Sequence, residues 1–365
     1  MKKLFIVIMM FFVSGTLIGL CLSITKGHET YHTYAAHQNV DAGIQLKTKQ
    51  ALQEQEPISI VFAGDTLFDW SVRKAIHQFG PDYPFEYVKD EVSRADYAIL
   101  NLETAVTKRA EKDPVQLYNF KSDPIALEGI KNAGFDMVSL ANNHALDYQV
   151  GGLLDTIEHL NSYEIKYFGA GRNKQEAYRA QRIEINGKKI SILGFSRFLP
   201  AVRWYENEGP VIASAYQQER VLDAIDREGK DADYVIIYIH WGVEKNNRPE
   251  NWQRQFAYDM IDRGADAIVG SHPHVLQGFE YYNGKPIAYS LGNFLFPDYV
   301  KGKTAQTGLL TLTIDGDISM QFNPFVIRTN QIHPLEGEDD QEVFEYLEQL
   351  SYGVSIEEGI IQSNS

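Results

Sequence analysis

Apolar residues fall along this chain in short runs, and several of the runs end in a small polar block of one chemical kind. Ile58-Ser59-Ile60-Val61-Phe62-Ala63 predicts a buried strand ending at Gly64-Asp65, and Tyr97-Ala98-Ile99-Leu100 predicts a second that runs into Asn101-Leu102-Glu103. Phe135-Asp136-Met137-Val138-Ser139-Leu140 leads to Asn142-Asn143-His144-Ala145-Leu146-Asp147. Tyr234-Val235-Ile236-Ile237-Tyr238-Ile239 enters His240-Trp241-Gly242, and Ala267-Ile268-Val269 enters Gly270-Ser271-His272-Pro273-His274. Helical spacing recurs between them, over 125–133 with Gly134 as its stop, over 152–161 and over 253–263. Asn186-Gly187 and Asn283-Gly284 are hairpin signals, and the run over 308–327, turning at Asp315-Gly316, predicts antiparallel strands that close a sheet. Strands joined partly through helices and partly by hairpins predict a mixed α/β domain.

The two ends of the chain read differently. After Met1-Lys2-Lys3 comes an uncharged stretch from Leu4 to Ile24, about the ~20 apolar residues a membrane-spanning helix needs. The lysines ahead of it favour an inward N-terminus. The expectation is therefore a transmembrane signal-anchor over residues 1–24, placing the folded part outside the cell membrane as a single-pass protein. A cleaved signal peptide and a lipoprotein are the rivals. No small-x-small cleavage site follows, and Leu20 precedes the single cysteine, Cys21. Residues 25–56 read as a linker or stalk, 57–330 as the folded domain, and 331–365 as an acidic tail with a short helix near Phe344 to Leu350.

Composition narrows the function. With 365 residues, 44% of them hydrophobic, the chain can bury a large core. A net charge of −15 excludes nucleic acid as a natural partner and repels any polyanion at long range, so such a substrate must be held by local metals or a few arginines. The folded part has no cysteine, hence neither disulfide nor thiolate ligand.

Each polar block alone has an ordinary explanation. Asp65 suits a helix cap, Asn142-Asn143 a turn, and His240 a satisfied structural histidine. His272-Pro273-His274 is harder to set aside, since an extended His-x-His points two imidazoles the same way. Taken together, Asp65, Asn101, Asn143, His240 and the His-x-His all follow strand-like runs. In a strand-turn-helix fold such ends meet on one rim, where carboxylate, amide and imidazole can share a borderline divalent metal.

These blocks, with Tyr289-Ser290-Leu291-Gly292-Asn293-Phe294, resemble the CapA/PgsA family of capsule and poly-γ-glutamate synthesis proteins, over about Ile58 to Arg328. The resemblance implies a four-layered αββα metallophosphatase-like sandwich holding one or two divalent ions (Mn, Zn or Fe). It implies Asp65, Glu103, Asn143, His240, His272 and His274 as metal ligands, His144 as general acid or transition-state stabiliser, and Asp147 as the residue orienting it. The implied substrate is an anionic polymer or a phosphoester, and the implied partners are other membrane-bound polymer synthesis components. Three features depart from the pattern: Asp65 is followed by Thr66-Leu67 in place of Asp-x-His, Asp69-Trp70 stands where Gly-Arg is common, and Asp147-Tyr148-Gln149 replaces Asp-x-Gly, with the glycines delayed to Gly151 and Gly152. Three functions stay open. They are capsule biosynthesis or export, a surface hydrolase of phosphoesters or amides unrelated to capsule, and a scaffold that a metal merely stabilises.

Overall fold

Two large sheets, each built on a block of parallel strands, account for the long apolar runs. The computed structural model describes residues 56–335 and 337–364. A βα series comes first: β1 (Ile58–Thr66), α1 (Trp70–Phe79), β2 (Tyr97–Leu102), α2 (Ile125–Asn132), β3 (Met137–Ser139), α3 (Gln149–Ser162) and β4 (Lys166–Phe168). The second sheet follows as β5 (Gln181–Ile185), β6 (Lys188–Ser196), α4 (Gln218–Glu228), β7 (Tyr234–His240), α5 (Asn251–Asp262), β8 (Ala267–Ser271), β9 (Phe279–Tyr282) and β10 (Lys285–Ala288). The chain then returns to the first sheet through β11 (Asn293–Leu295), β12 (Gln306–Asp315), β13 (Asp317–Arg328) and β14 (Gln331–Pro334), and ends in α6 (Glu338–Leu350), β15 (Val354–Glu357) and β16 (Ile360–Ser363).

The first sheet runs β15-β16-β13-β12-β1-β2-β3-β4, with β11 beside β1 and β14 beside β13. The second runs β9-β10-β8-β7-β6-β5. Strands β1 to β4 are parallel, as are β6, β7, β8 and β10, so each block ends on one rim.

Period-two alternation explains why these strands are apolar on both faces. In β1, Ile58, Ile60 and Phe62 enter the core between the sheets, while Val61 and Ala63 face the helices. In β7, Ile236 and Tyr238 face inward and Val235, Ile237 and Ile239 outward. Helices α1, α2 and α3 cover the outer face of the first sheet with Val72, Ile76, Leu127, Ile130, Leu153 and Ile157. Helices α4 and α5 cover the second with Val221, Ile225, Phe256 and Met260. The layers are therefore helix, sheet, sheet, helix. The hairpins at Asn186-Gly187 and Asn283-Gly284 both have φ of 50° and 75°, the left-handed pair a two-residue turn requires. The acidic C-terminal segment is built into the sandwich, with Val343, Phe344 and Leu347 of α6 buried in the core between the sheets.

Two close contacts lie beneath the rim, the first of them between the sheets. Tyr238 Oη donates to the Ala63 carbonyl at 2.8 Å. At Gly64 a Cβ would lie 2.1 Å from the Gly292 carbonyl oxygen, so only glycine lets β1 pass that close to the segment before β11.

The expected N-terminal transmembrane helix is a correction. Among the described residues no helix is long and apolar enough to cross a membrane. Their longest, α3, has 14 residues and buries one face against the sheet, whereas a spanning helix needs roughly 20 apolar residues. Residues 1–24, where the sequence places the anchor, and 25–55 of the stalk lie outside the described residues. The single-pass membrane placement, the extracytoplasmic position and the contact with membrane-bound synthesis components lose their structural basis with it.

Candidate metal centre

The strand ends converge as their register dictates. Asp65 pairs with Asn101 in β2 and with Asn293 in β11, while His240 pairs with Ser271 at the end of β8. Glu103 sits one residue beyond β2, and its backbone N–H donates to the Thr66 carbonyl at 3.0 Å. Asp65, Glu103, His240 and His272 are all fully buried.

Six side chains predicted from the sequence as ligands are brought together. Asn143 Oδ1 lies 2.6 Å from His240 Nε2, and His272 Nδ1 lies 3.0 Å from the same nitrogen. Glu103 Oε1 is 3.6 Å from His240 Nε2, and its Oε2 is 3.9 Å from His274 Nδ1. His274 Nδ1 also lies 3.2 Å from Asp65 Oδ2. Two groups emerge, Asp65 with Glu103 and His240, and Glu103 with His272 and His274. Within each, one donor atom per residue lies within 4.8 Å of the others. Such clusters can coordinate a divalent metal, and Glu103 belongs to both.

The residues fit a metal on a separate ground. Both carboxylate oxygens of Glu103 and His272 Nε2 are buried without a hydrogen-bond partner, a costly state for groups away from water. Around His240 Nε2 an amide oxygen and a second imidazole nitrogen crowd together, although one ring nitrogen can give only one proton. A cation satisfies several such donor atoms at once.

Electrostatics point the same way. Burial, reinforced by the Asp65 charge, pushes the Glu103 carboxyl well above the usual carboxylate range. Burial and the neighbouring imidazoles hold His240 and His272 well below the ordinary histidine value, hence neutral and able to ligate. For His274, burial lowers the value, but the Glu103 charge and the hydrogen bond and charge of Asp65 outweigh it and carry the ring up to about 9.

The geometry of the His-x-His departs from the sequence reading. His272 has φ 100° and His274 φ 57°, so the segment is left-handed at both histidines and not extended. A bulky residue held at positive φ is strained. Here Phe198 stacks on the His272 ring at 4.4 Å, the His272 N–H donates to Asp65 Oδ2 at 3.1 Å, and His274 Nδ1 lies 2.9 Å from Asn293 Oδ1.

Beside these groups, His144 Nδ1 lies 2.8 Å from Asp147 Oδ2. Asp147 also accepts from the Phe120 N–H at 2.7 Å and from Gln116 Nε2 at 3.0 Å. Burial raises the Asp147 carboxyl, against the opposing charge and hydrogen bond of His144. His144 lines a cavity of about 630 Å³ together with His274.

Sequence reasoning passed over Asn293 and Gln116, and it left Asn101 out of the ligand set. Asn101 Nδ2 donates to Asp65 Oδ1 at 2.8 Å, and Asn101 Oδ1 accepts from Asn142 at 3.0 Å. Asn293 sits in a visible polar block; Gln116 comes from an irregular loop with no periodic signal. Leu67, two residues after Asp65, is buried in an apolar cluster with Phe120 and Phe296.

A family model described as bacterial capsule synthesis protein, PGA_cap, matches residues 59–298. The chain belongs to the PGA_cap family. It is 33% identical over 250 residues to the capsule biosynthesis protein CapA of Bacillus anthracis, covering 67% of this chain and 61% of that protein. It is 34% identical over 261 residues to the PGA biosynthesis protein CapA of Bacillus subtilis (strain 168), covering 70% of this chain and 67% of the relative. Among solved structures, a hypothetical protein from Thermus thermophilus aligns over 76% of this chain and all of its own length, with TM-score 0.45 and 18% identity. Asp65, Glu103, Asn143, His144, Asp147, His240, His272 and His274 all lie inside the segment matched by the PGA_cap model.

Proposed function

We propose that this PGA_cap protein carries a divalent-metal centre that hydrolyses an anionic ester, a phosphoester in the first instance, within capsule-polymer biosynthesis. The observation that carries this reading is Glu103, a carboxylate buried with both oxygens unpaired and common to two groups of metal-binding side chains. Asp65, Glu103, Asn143, His240, His272 and His274 would hold one or two ions of the Mn, Zn or Fe type. Bound there, such ions would supply Lewis acidity toward an anionic group and a nucleophile at neutral pH.

The chain's own side chains do the rest. The neutral amide of Asn143 and the neutral rings of His240 and His272 leave the centre positive enough for an anion to approach a protein of net charge −15. Asp147 accepts from His144 Nδ1–H and so orients the ring, and in the imidazolium form the opposite Nε2–H can donate its proton to a leaving oxygen in the cavity. Strand ends held by two sheets keep these groups preorganised.

The test is elemental analysis of the full chain beside hydrolysis of phosphoesters and of glutamyl polymer with added Mn²⁺, Zn²⁺ or Fe²⁺. Stoichiometric metal and metal-dependent turnover of a phosphoester are expected. A protein that binds no metal, or that binds metal and cleaves no phosphoester, overturns the proposal.

A further inference from the structure

An aromatic wall joins the candidate centre to solvent. Trp70 at the start of α1, Tyr118 in the loop before Phe120, and Tyr299 after β11 come from three separate segments. The Trp70 ring lies 6.2 Å from Tyr118 and 5.4 Å from Tyr299. None of the three is buried, with exposures of 42%, 55% and 55%. Behind them Phe120 and Phe296 are buried, 4.6 Å from the His144 ring and 5.0 Å from His274 respectively. All five rings line the same cavity as those histidines.

Core packing does not account for this arrangement, since three large rings converge and stay wet. Trp70 also adopts φ 53°, a left-handed conformation that is strained for such a residue. Asp69 sustains it, accepting from the Trp70 N–H at 2.7 Å and from the Lys121 N–H at 3.0 Å. An exposed apolar surface at a cavity mouth, held at a conformational cost, marks a ligand surface. Lys245 and Lys301 line the cavity beside one carboxylate, Glu244, and among the described residues neither ammonium has an ion-pair partner.

We propose that the aromatic wall of Trp70, Tyr118 and Tyr299 seats a planar aryl or heteroaryl group of a small anionic ester whose phosphoryl end lies at the histidines. The inference rests on the centre being the metal-dependent site proposed above. A bare glutamyl polymer offers a carboxylate at every residue and no flat apolar face, so it matches two lysines and an aromatic wall poorly. A compact ligand with one anionic end and one ring satisfies both parts of the cavity.

Calorimetric titration of the Mn²⁺-loaded full chain with inorganic phosphate, butylphosphonate and phenylphosphonate tests this, because the carbon–phosphorus bond of the phosphonates resists hydrolysis. All three are expected to bind, with phenylphosphonate tighter than butylphosphonate by roughly three- to tenfold, the worth of one good ring contact. Trp70→Ala, and independently Tyr299→Leu on its exposed loop, should each remove that ratio by weakening phenylphosphonate alone. Phosphate binding with equal affinity for the two phosphonates overturns this inference and leaves the metal centre standing. So does a ratio that survives both substitutions. Failure to bind phosphate at all overturns both readings.

Discussion

Asn143 and His240 are 97 residues apart in the chain, yet Asn143 Oδ1 lies 2.6 Å from His240 Nε2. One follows β3 of the first sheet and the other ends β7 of the second, so the contact bridges the two halves of the sandwich at its rim. Imidazole nitrogen and amide oxygen are both metal-ligating atoms, and a shared cation can take the place of the proton between them. We expect His240→Ala and Asn143→Ala each to weaken metal binding by at least about a hundredfold, since loss of even an outer partner costs roughly 10–100-fold. The double variant should lose less than the sum, because both act on one ion. Metal-to-protein ratio under chelator competition measures this, and full occupancy in both single variants would refute the assignment.

Glu103 supports a prediction with opposite signs in two states. Without metal its buried carboxylate has no hydrogen-bond partner and is pushed well above the ordinary range, so the charged form burdens the fold. Glu103→Gln removes that charge at nearly constant volume. The metal-free variant should therefore be the more stable, because the cost of burying that charge outweighs its attraction to His274, as the raised carboxyl shows. With metal present the order should reverse, the wild type becoming the more stable because only it binds the ion tightly. Thermal unfolding with and without EDTA reads both arms. A variant less stable than wild type in both conditions contradicts the argument.

Much of this was legible from the chain before any coordinates. Each of Asp65, Asn101 and His240 ends an apolar run, and parallel strands carry their ends to one rim, so the order of runs and polar blocks already placed side chains of both sheets near one another. What escaped was irregular backbone. His272 and His274 enter the cluster from left-handed conformations that no two-residue period encodes. Gln116, Tyr118 and Tyr299 sit in loops whose positions depend on packing far away, and Trp70 read only as a departure from a pattern. The apolar N-terminal run met the length rule for a membrane span, but that rule speaks of hydropathy alone, and no described helix answers to it.

His144 and Asp147 separate chemistry from metal binding. Neither belongs to the two candidate groups of metal-binding side chains, and the contact between them at 2.8 Å is buried. We expect His144→Ala to keep its metal and lower kcat by roughly 10²–10⁴, the range for loss of a positioned acid. Asp147→Asn should lower kcat as well, by releasing the His144 tautomer, and Gln116→Ala should do so more weakly, since it removes one of several partners of Asp147. Steady-state kinetics beside metal analysis decides the matter. Loss of metal in His144→Ala would place that ring in the coordination sphere and remove it from proton transfer.

The pH dependence follows from His274. Its folded-state value is carried up to about 9 by Glu103 and Asp65, against the opposing effect of burial, while the unfolded ring titrates near its ordinary value of 6.5. A raised value means that the metal-free fold binds a proton the unfolded chain has released. The resulting stability is fully present below pH 6.5 and is lost as pH rises through about 9. A metal ion takes the place of that proton, because only the neutral ring ligates. Metal affinity should therefore climb by about tenfold per pH unit across the same window, and flatten above it. The metal-free melting temperature should fall over that window while the metal-loaded one holds. His274→Gln, which cannot titrate, should flatten the metal-free profile. A melting temperature that instead rises from pH 6.5 to 9 without metal would show that His274 is not the proton-holding group.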